Sequence, residues 1–125
     1  MANLQLMLGC NDYDRCRALI DGRVKPEGID LAITLLKPRE LFPRVLDHQA
    51  FDVAELSLGS YASLVARDAS PFVAIPVPLS KFFRHSCIYI RTGAGIERPQ
   101  DLKGMRVGTT QYGATAIVTI KGMLG

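Results

Sequence analysis

Three short apolar runs, each followed by a segment of helical length, constrain this chain more than any other feature. Leu4 to Gly9 is a compact apolar strand, Ile29 to Leu36 alternates Ile29, Leu31, Ile33 and Leu35, and Phe51 to Leu56 carries Phe51, Val53, Ala54 and Leu56. Between the first two, Cys16, Leu19 and Ile20 fall at i, i+3, i+4 of a helix beginning near Asp14, with Asn11 or Asp12 placed to cap it and Asp21-Gly22 to end it. Between the second and third, Pro38 to His48 reads as helix; Pro43 is comfortable only in a first turn, so that helix either starts near Phe42 or kinks there. The order β-α-β-α-β predicts an α/β fold: a doubly wound, mostly parallel sheet with right-handed crossovers.

The third run ends in polar residues. Glu55 and Ser57 stand where its strand should end, and Ser57 is placed to cap a helix over Leu58 to Ala66. In open α/β sheets ligands bind in the crevice at the carboxyl ends of the strands, and a helix start there favours an anion. The plainer account of the same residues is a buried strand, a capping serine and a solvated glutamate.

Beyond Ala66 the pattern loosens. Phe72 to Pro76 reads as a short edge strand, because Pro71, Pro76 and Pro78 do not belong inside a central one. Leu79 to Phe83 has no clear assignment. Strands are expected over Ser86 to Arg91 and Met105 to Gly108, with one helical turn over Arg98 to Leu102 between them. A polar loop, Thr109 to Gly113, then leads into a helix over Ala114 to Leu124, a weak one given its five β-branched residues. This last unit has no following strands to cover it, so it either adds to the first sheet or opens a second body.

Composition excludes several classes. In 125 residues, 48% are apolar, 22% are charged and the net charge is +3, which suits a globular domain and gives no reason to expect nucleic acid. Ten arginines against five lysines leave an acidic small molecule as the partner to consider, although most arginines must be solvated surface. Cys10, Cys16 and Cys87 are odd in number and widely spaced, as free thiols of a reducing compartment are. There is no Cys-x-x-Cys pair, and His48 and His85 lack helical partners, so no zinc site is indicated. Met7 to Cys10 has the outline of a lipoprotein cleavage box, but nothing basic precedes it and no signal-length apolar core is present. With no membrane-length run either, the expectation is a cytoplasmic protein with neither membrane nor nucleic acid as partner; association of copies stays open.

Four stretches taken in order carry a resemblance. They are Cys10 to Arg15 (CNDYDR); Phe51 to Ser57 (FDVAELS); Phe72 to Pro76 with Phe83 to Tyr89 (FVAIP, FRHSCIY); and Asp101 to Gly108 (DLKGMRVG). Together they resemble the 4,5-dihydroxyphthalate decarboxylase family, relatives of periplasmic solute-binding proteins of the type II fold. The RHSCIY run (Arg84 to Tyr89) and the FDVAE run (Phe51 to Glu55) are the more specific parts; Asp-Leu-Lys-Gly is shared widely within that fold. The resemblance implies a periplasmic-binding-protein-like II architecture with the ligand between two lobes. Residues 1–92 would form most of the first lobe and 93–125 the crossover and the start of a second. Family members are more than twice this length, so a truncated, inactive remnant is one expectation for the chain.

Decarboxylating a dihydroxylated aromatic diacid without an organic cofactor asks for a carboxylate anchor, a base for a ring hydroxyl and an acid for the ring carbon. Histidine suits the last role, which assigns His85 as proton donor and Glu55 as base, with Asp12 second. Arg84 is the carboxylate anchor, with Arg15 in reserve; in an extended segment Arg84 and His85 would face opposite ways. Ser57, Ser86, Thr109, Thr110 and Tyr112 would supply neutral hydrogen bonds to the substrate. No cofactor is expected; His85, Glu55 and an aspartate could hold a divalent metal, but no spacing demands one. Each of these side chains also has an ordinary structural role open to it, from surface arginine to half-buried histidine. The same architecture serves solute-binding or sensing proteins that hold an organic anion without turnover, and this is the competing function.

Overall fold

A computed structural model describes residues 2–109 and 111–124. Its element order opens β1 (Leu4–Cys10), a 3-10 turn with the short helix α1 (Arg17–Ile20), β2 (Ile29–Leu35), α2 (Pro38–His48), β3 (Val53–Ala54) and α3 (Leu58–Val65). The three strands form one parallel sheet in the order β2-β1-β3. The expected α/β alternation is therefore present, with β1 at the centre.

Register shows how the sheet is clothed. Leu4, Leu6, Leu8 and Cys10 pair with Ile29, Leu31, Ile33 and Leu35 and share their face, while Gln5, Met7 and Gly9 share the other with Asp30, Ala32 and Thr34. On the first face, Leu19 and Ile20 of α1 line a concavity of about 360 Å³ together with Ile29, Leu31 and Ile33. On the second, a Cβ at Gly9 would lie 2.8 Å from Leu41 Cδ1 of α2 and 2.9 Å from the Phe51 ring, so only glycine lets that helix and Phe51 come so close. The residues of α1 and α2 named here thus meet different faces of the sheet. The exposed rim of the ladder is pinned by Gln5, whose side-chain amide donates to Asp30 at 2.7 Å.

Burial is concentrated at one end of β1. Leu4 and Met7 are exposed, whereas Leu8, Gly9 and Cys10 are buried, and Leu41 and Val45 of α2 complete that core. The α2 helix runs unbroken from Pro38, with Pro43 inside it rather than at a restart near Phe42. Pro43 withholds one amide from the helical ladder, but burial of Leu41 and Val45 on either side of it holds the helix to the sheet.

The later strands do not form. Phe72–Pro76, Ser86–Arg91 and Met105–Gly108 lie outside the ladder, and the only regular elements described after α3 are the 3-10 turns Arg84–Cys87 and Pro99–Leu102 and the helix α4 (Thr115–Leu124). A strand is a property of a pair, not of a segment: without a neighbour its amides and carbonyls turn to solvent. Val73, Tyr89 and Val107, the apolar residues that suggested strands there, are exposed at 92%, 88% and 64%. The chain divides into two compact units, one of residues up to Leu56 with Ile75–Ser80, the other of Ser57–Ala74 with the residues from Lys81 on. In the second, α4 packs against α3 and against the Arg84–Cys87 turn.

Leu41 is fully buried against the sheet face that carries Gly9. Leu41→Ala should cost about 2–5 kcal/mol, read as a lower urea midpoint with an unchanged slope.

Candidate functional site

In the first unit the carboxyl ends of β1 and β3 meet around one glutamate. The Glu55 amide donates to the Gly9 carbonyl at 2.9 Å, extending the β1–β3 ladder by one residue and fixing where its side chain starts. Its carboxylate is held at both oxygens: the Tyr13 hydroxyl donates to Oε1 at 2.7 Å, and the Asn11 amide donates to Oε2 at 3.2 Å. Both partners come from the loop after β1, so the first strand's exit clamps the third strand's last polar side chain.

That loop spends its charged residues locally. Asp12 pairs with Arg17 at 2.7 Å, both about half exposed. Arg15 stands 5.6 Å from the Tyr13 ring centroid and donates to the Leu79 carbonyl. Neither Asn11 nor Asp12 caps the helical turn that begins at Asp14, whose N-cap position is Tyr13 with no side-chain cap bond. The cap expected there is thus corrected: Tyr13, and neither Asn11 nor Asp12, stands at the N-cap position, and the Asp12 carboxylate pairs with Arg17 instead.

Two groups beside Glu55 hold their protons tightly. Burial pushes the Cys10 thiol above its usual 9.0, and nearby Cys16, Glu55 and Asp12 push it further. Burial likewise raises the Tyr13 phenol above 10.0, and its bond to Glu55 adds to this against smaller opposing bonds from Asn11 and Ser80. Protons bound more tightly in the folded state stabilise it fully below the unfolded values and stop doing so as pH rises through the folded ones.

In the second unit two helix starts meet. Ser57 caps α3 as expected, its Oγ accepting from the Ser60 amide at 3.4 Å, and lies 2.9 Å from Thr115 Oγ1 at the start of α4. Thr115 Oγ1 accepts from the Gly59 amide at 3.0 Å, and the Ser60 hydroxyl donates to the Gly113 carbonyl at 3.3 Å. The approach is close enough that a Cβ on Gly59 would stand 2.9 Å from Thr115 Cα. Two positive helix ends in one place give an electrostatic preference for negative charge.

The other proposed ligands of this unit are more open. Arg84 is half-buried with its guanidinium 5.5 Å from the Phe82 ring centroid, whereas His85 and Ser86 are exposed. The Ser86 hydroxyl donates to the Phe83 carbonyl at 3.1 Å. These residues form a 3-10 turn rather than the lead into a strand, so the alternation expected of Arg84 and His85 does not apply. Thr109 and Tyr112 are exposed, and Lys121 Nζ lies 3.7 Å from the Tyr112 ring centroid. Thr110 lies outside the described residues. Among the described residues, no three His, Cys, Asp or Glu side chains gather as a metal site, and no helix is long and apolar enough to cross a membrane.

The structure therefore brings Asp12, Arg15 and Glu55 to one loop of the first unit, and Ser57 to the start of α4 in the second. Sequence reasoning missed Tyr13, Gly59 and Thr115. Tyr13 could have been found only by knowing that β1 and β3 are neighbours, which brings the loop after one to the end of the other.

Such an arrangement, a three-stranded parallel sheet with helices and with polar groups at its strand ends, defines an α/β protein. No protein-family model matches the chain. It is 44% identical to a 4,5-dihydroxyphthalate decarboxylase of Comamonas testosteroni over 121 residues, covering 97% of this chain and 37% of that protein. It is 43% identical to a protein of the same name from Pseudomonas putida, over 97% of this chain and 47% of the relative. These matches bear out the resemblance read from the sequence, with the N-terminal portion of the 4,5-dihydroxyphthalate decarboxylase family. The chain spans less than half the length of these curated relatives.

Two outcomes follow from the geometry. Gly59→Ala should destabilise the second unit by about 1–3 kcal/mol, since Thr115 backbone rather than a movable side chain stands in the way; chemical denaturation measures it. Stability should also fall as pH rises above 9.0, with Cys10 and Tyr13 releasing protons they hold more tightly when folded; urea midpoints across that range measure it.

Proposed function

We propose that the chain serves the non-oxidative decarboxylation of an aromatic dicarboxylic acid such as 4,5-dihydroxyphthalate. The observation that carries the reading is Glu55, oriented at a strand end by Tyr13 and Asn11, in a chain that aligns over 97% of its length with two proteins of that name. On this reading the fold is periplasmic-binding-protein-like II, with residues 1–92 in the first lobe, 93–125 opening the second, and the substrate in the cleft between lobes. The protein works in the cytoplasm without an organic cofactor.

In 4,5-dihydroxyphthalate each hydroxyl is para to a ring carbon bearing a carboxylate. Glu55 accepts the proton of one hydroxyl, and the phenolate's electron density reaches the para carbon. His85 delivers a proton to that carbon. The bond to the carboxylate then breaks, its electron pair returns to the ring, and carbon dioxide leaves. Glu55 gives the hydroxyl proton back, and solvent reprotonates His85, so one proton is consumed per carbon dioxide released.

The retained carboxylate needs positive potential. The starts of α3 and α4 supply it beside Ser57, and Arg84, half-buried in the same unit, is the guanidinium anchor; Ser86, Thr109, Thr110 and Tyr112 add neutral hydrogen bonds. Arg15 is the weaker anchor, because it already donates to Leu79, and Asp12 the weaker base, because it already faces Arg17.

The test is incubation with 4,5-dihydroxyphthalate, following release of carbon dioxide and of 3,4-dihydroxybenzoate. Glu55→Gln and His85→Ala should each lower turnover by about 10²–10⁴-fold, and His85→Ala should leave ligand-induced thermal stabilisation largely intact. Binding without carbon dioxide release in the wild type would overturn the enzyme reading in favour of a solute-binding or sensing protein. Turnover surviving His85→Ala would return that residue to a structural role.

A further inference from the structure

The same geometry points to a residue that no part of the reading above uses as a determinant of specificity: we infer that Tyr13 aims the Glu55 carboxylate so that a ligand must present a hydroxyl donor to it. The inference rests on the proposal that Glu55 faces the ligand, but not on turnover.

An ionised carboxylate is an acceptor only, with about four lone-pair sites. The Tyr13 hydroxyl and the Asn11 amide take one on each oxygen, while the Glu55 backbone is fixed by the Gly9 carbonyl. A glutamate tied at its amide and at both oxygens has little rotamer freedom left, so its remaining lone pairs have fixed directions. The group that meets them must be a donor: a second carboxylate would repel, and a bare ring edge would leave the acceptor unpaired at a cost.

Tyr13 fits this role better than a packing role. It is half-buried, its hydroxyl is spent on Glu55, and Arg15 stands 5.6 Å from its ring centroid. The charged groups facing it are Glu55 and Arg15, with Asn11 and Ser80 as neutral neighbours. Burial and the bond to Glu55 keep the phenol protonated through neutral pH, so it stays a donor and never competes for the ligand's proton.

The test compares binding of 4,5-dihydroxyphthalate with that of phthalate, which lacks the two hydroxyls. Wild type should prefer the dihydroxylated ligand. Tyr13→Phe should shrink that preference by about 10-fold, chiefly by weakening the dihydroxylated ligand alone. Glu55→Gln should shrink it similarly, and supplies the check should Tyr13→Phe fold poorly. Absorbance titration of tyrosinate without ligand tests the pair itself: Glu55→Gln should lower one high transition, and Tyr13→Phe should remove it. An unchanged preference in Tyr13→Phe, no preference in wild type, or a tyrosine titration indifferent to Glu55→Gln would each overturn the inference. Selective binding without carbon dioxide release would uphold it while refuting the decarboxylase reading.

Discussion

Everything in the first unit hangs on the Gly9–Cys10 end of β1. Its Gly9 carbonyl accepts the Glu55 amide, its Cys10 carbonyl accepts the Leu36 amide at 3.0 Å, and the missing side chain at Gly9 admits Leu41 and Phe51. The same three residues, Leu8 to Cys10, are the buried part of the strand, while its beginning is exposed. Core and candidate chemistry are therefore the same place. The exit loop of β1 lies beside the end of β3 at this tightly packed end of the sheet, and that adjacency brings Glu55, Tyr13 and the Asn11 backbone amide together.

That coupling explains which parts of the chain could be read beforehand. The first 66 residues are organised by local period, two for strands and near four for helices, so β1, β2, α2 and α3 follow from spacing alone. The Ser57 cap follows from chemistry just as local. What spacing cannot give is adjacency. Nothing in the order of the runs says that β1 lies between β2 and β3, so the neighbour relation that joins Tyr13 to Glu55 was invisible, and Asn11 and Asp12 looked like caps. Pro43 left a start near Phe42 open, and the helix begins at Pro38 instead: propensity counts the lost amide but not the burial of Leu41 and Val45 on either side of it.

After Ala66 the failure is of another kind. Val73, Tyr89 and Val107 have the composition of strands, yet each is more than half exposed and none has a ladder partner. β-propensity measures fit to a pleated, half-covered surface, and a segment without that surface does not express it. The helix of this region needed less from its surroundings. Despite its β-branched residues, α4 satisfies its own backbone, and the Thr119 hydroxyl adds a bond to the Thr115 carbonyl at 2.8 Å.

The meeting of α3 and α4 sharpens what an anion would encounter there. Two helix starts repel each other, and the structure answers with small residues and oxygens: Gly59 allows the approach, and Thr115 Oγ1 and Ser57 Oγ accept from the Gly59 and Ser60 amides. Two of the donors that an incoming carboxylate would seek are thereby already engaged. The potential of both helix ends remains, because it comes from the summed peptide dipoles and not from any one bond. A carboxylate in this unit is thus attracted by field more than by free amides, and its orientation must come from a side chain with donors of its own. Arg84, half-buried beside Phe82 in the turn that packs on α4, has the planar fork that such orientation requires.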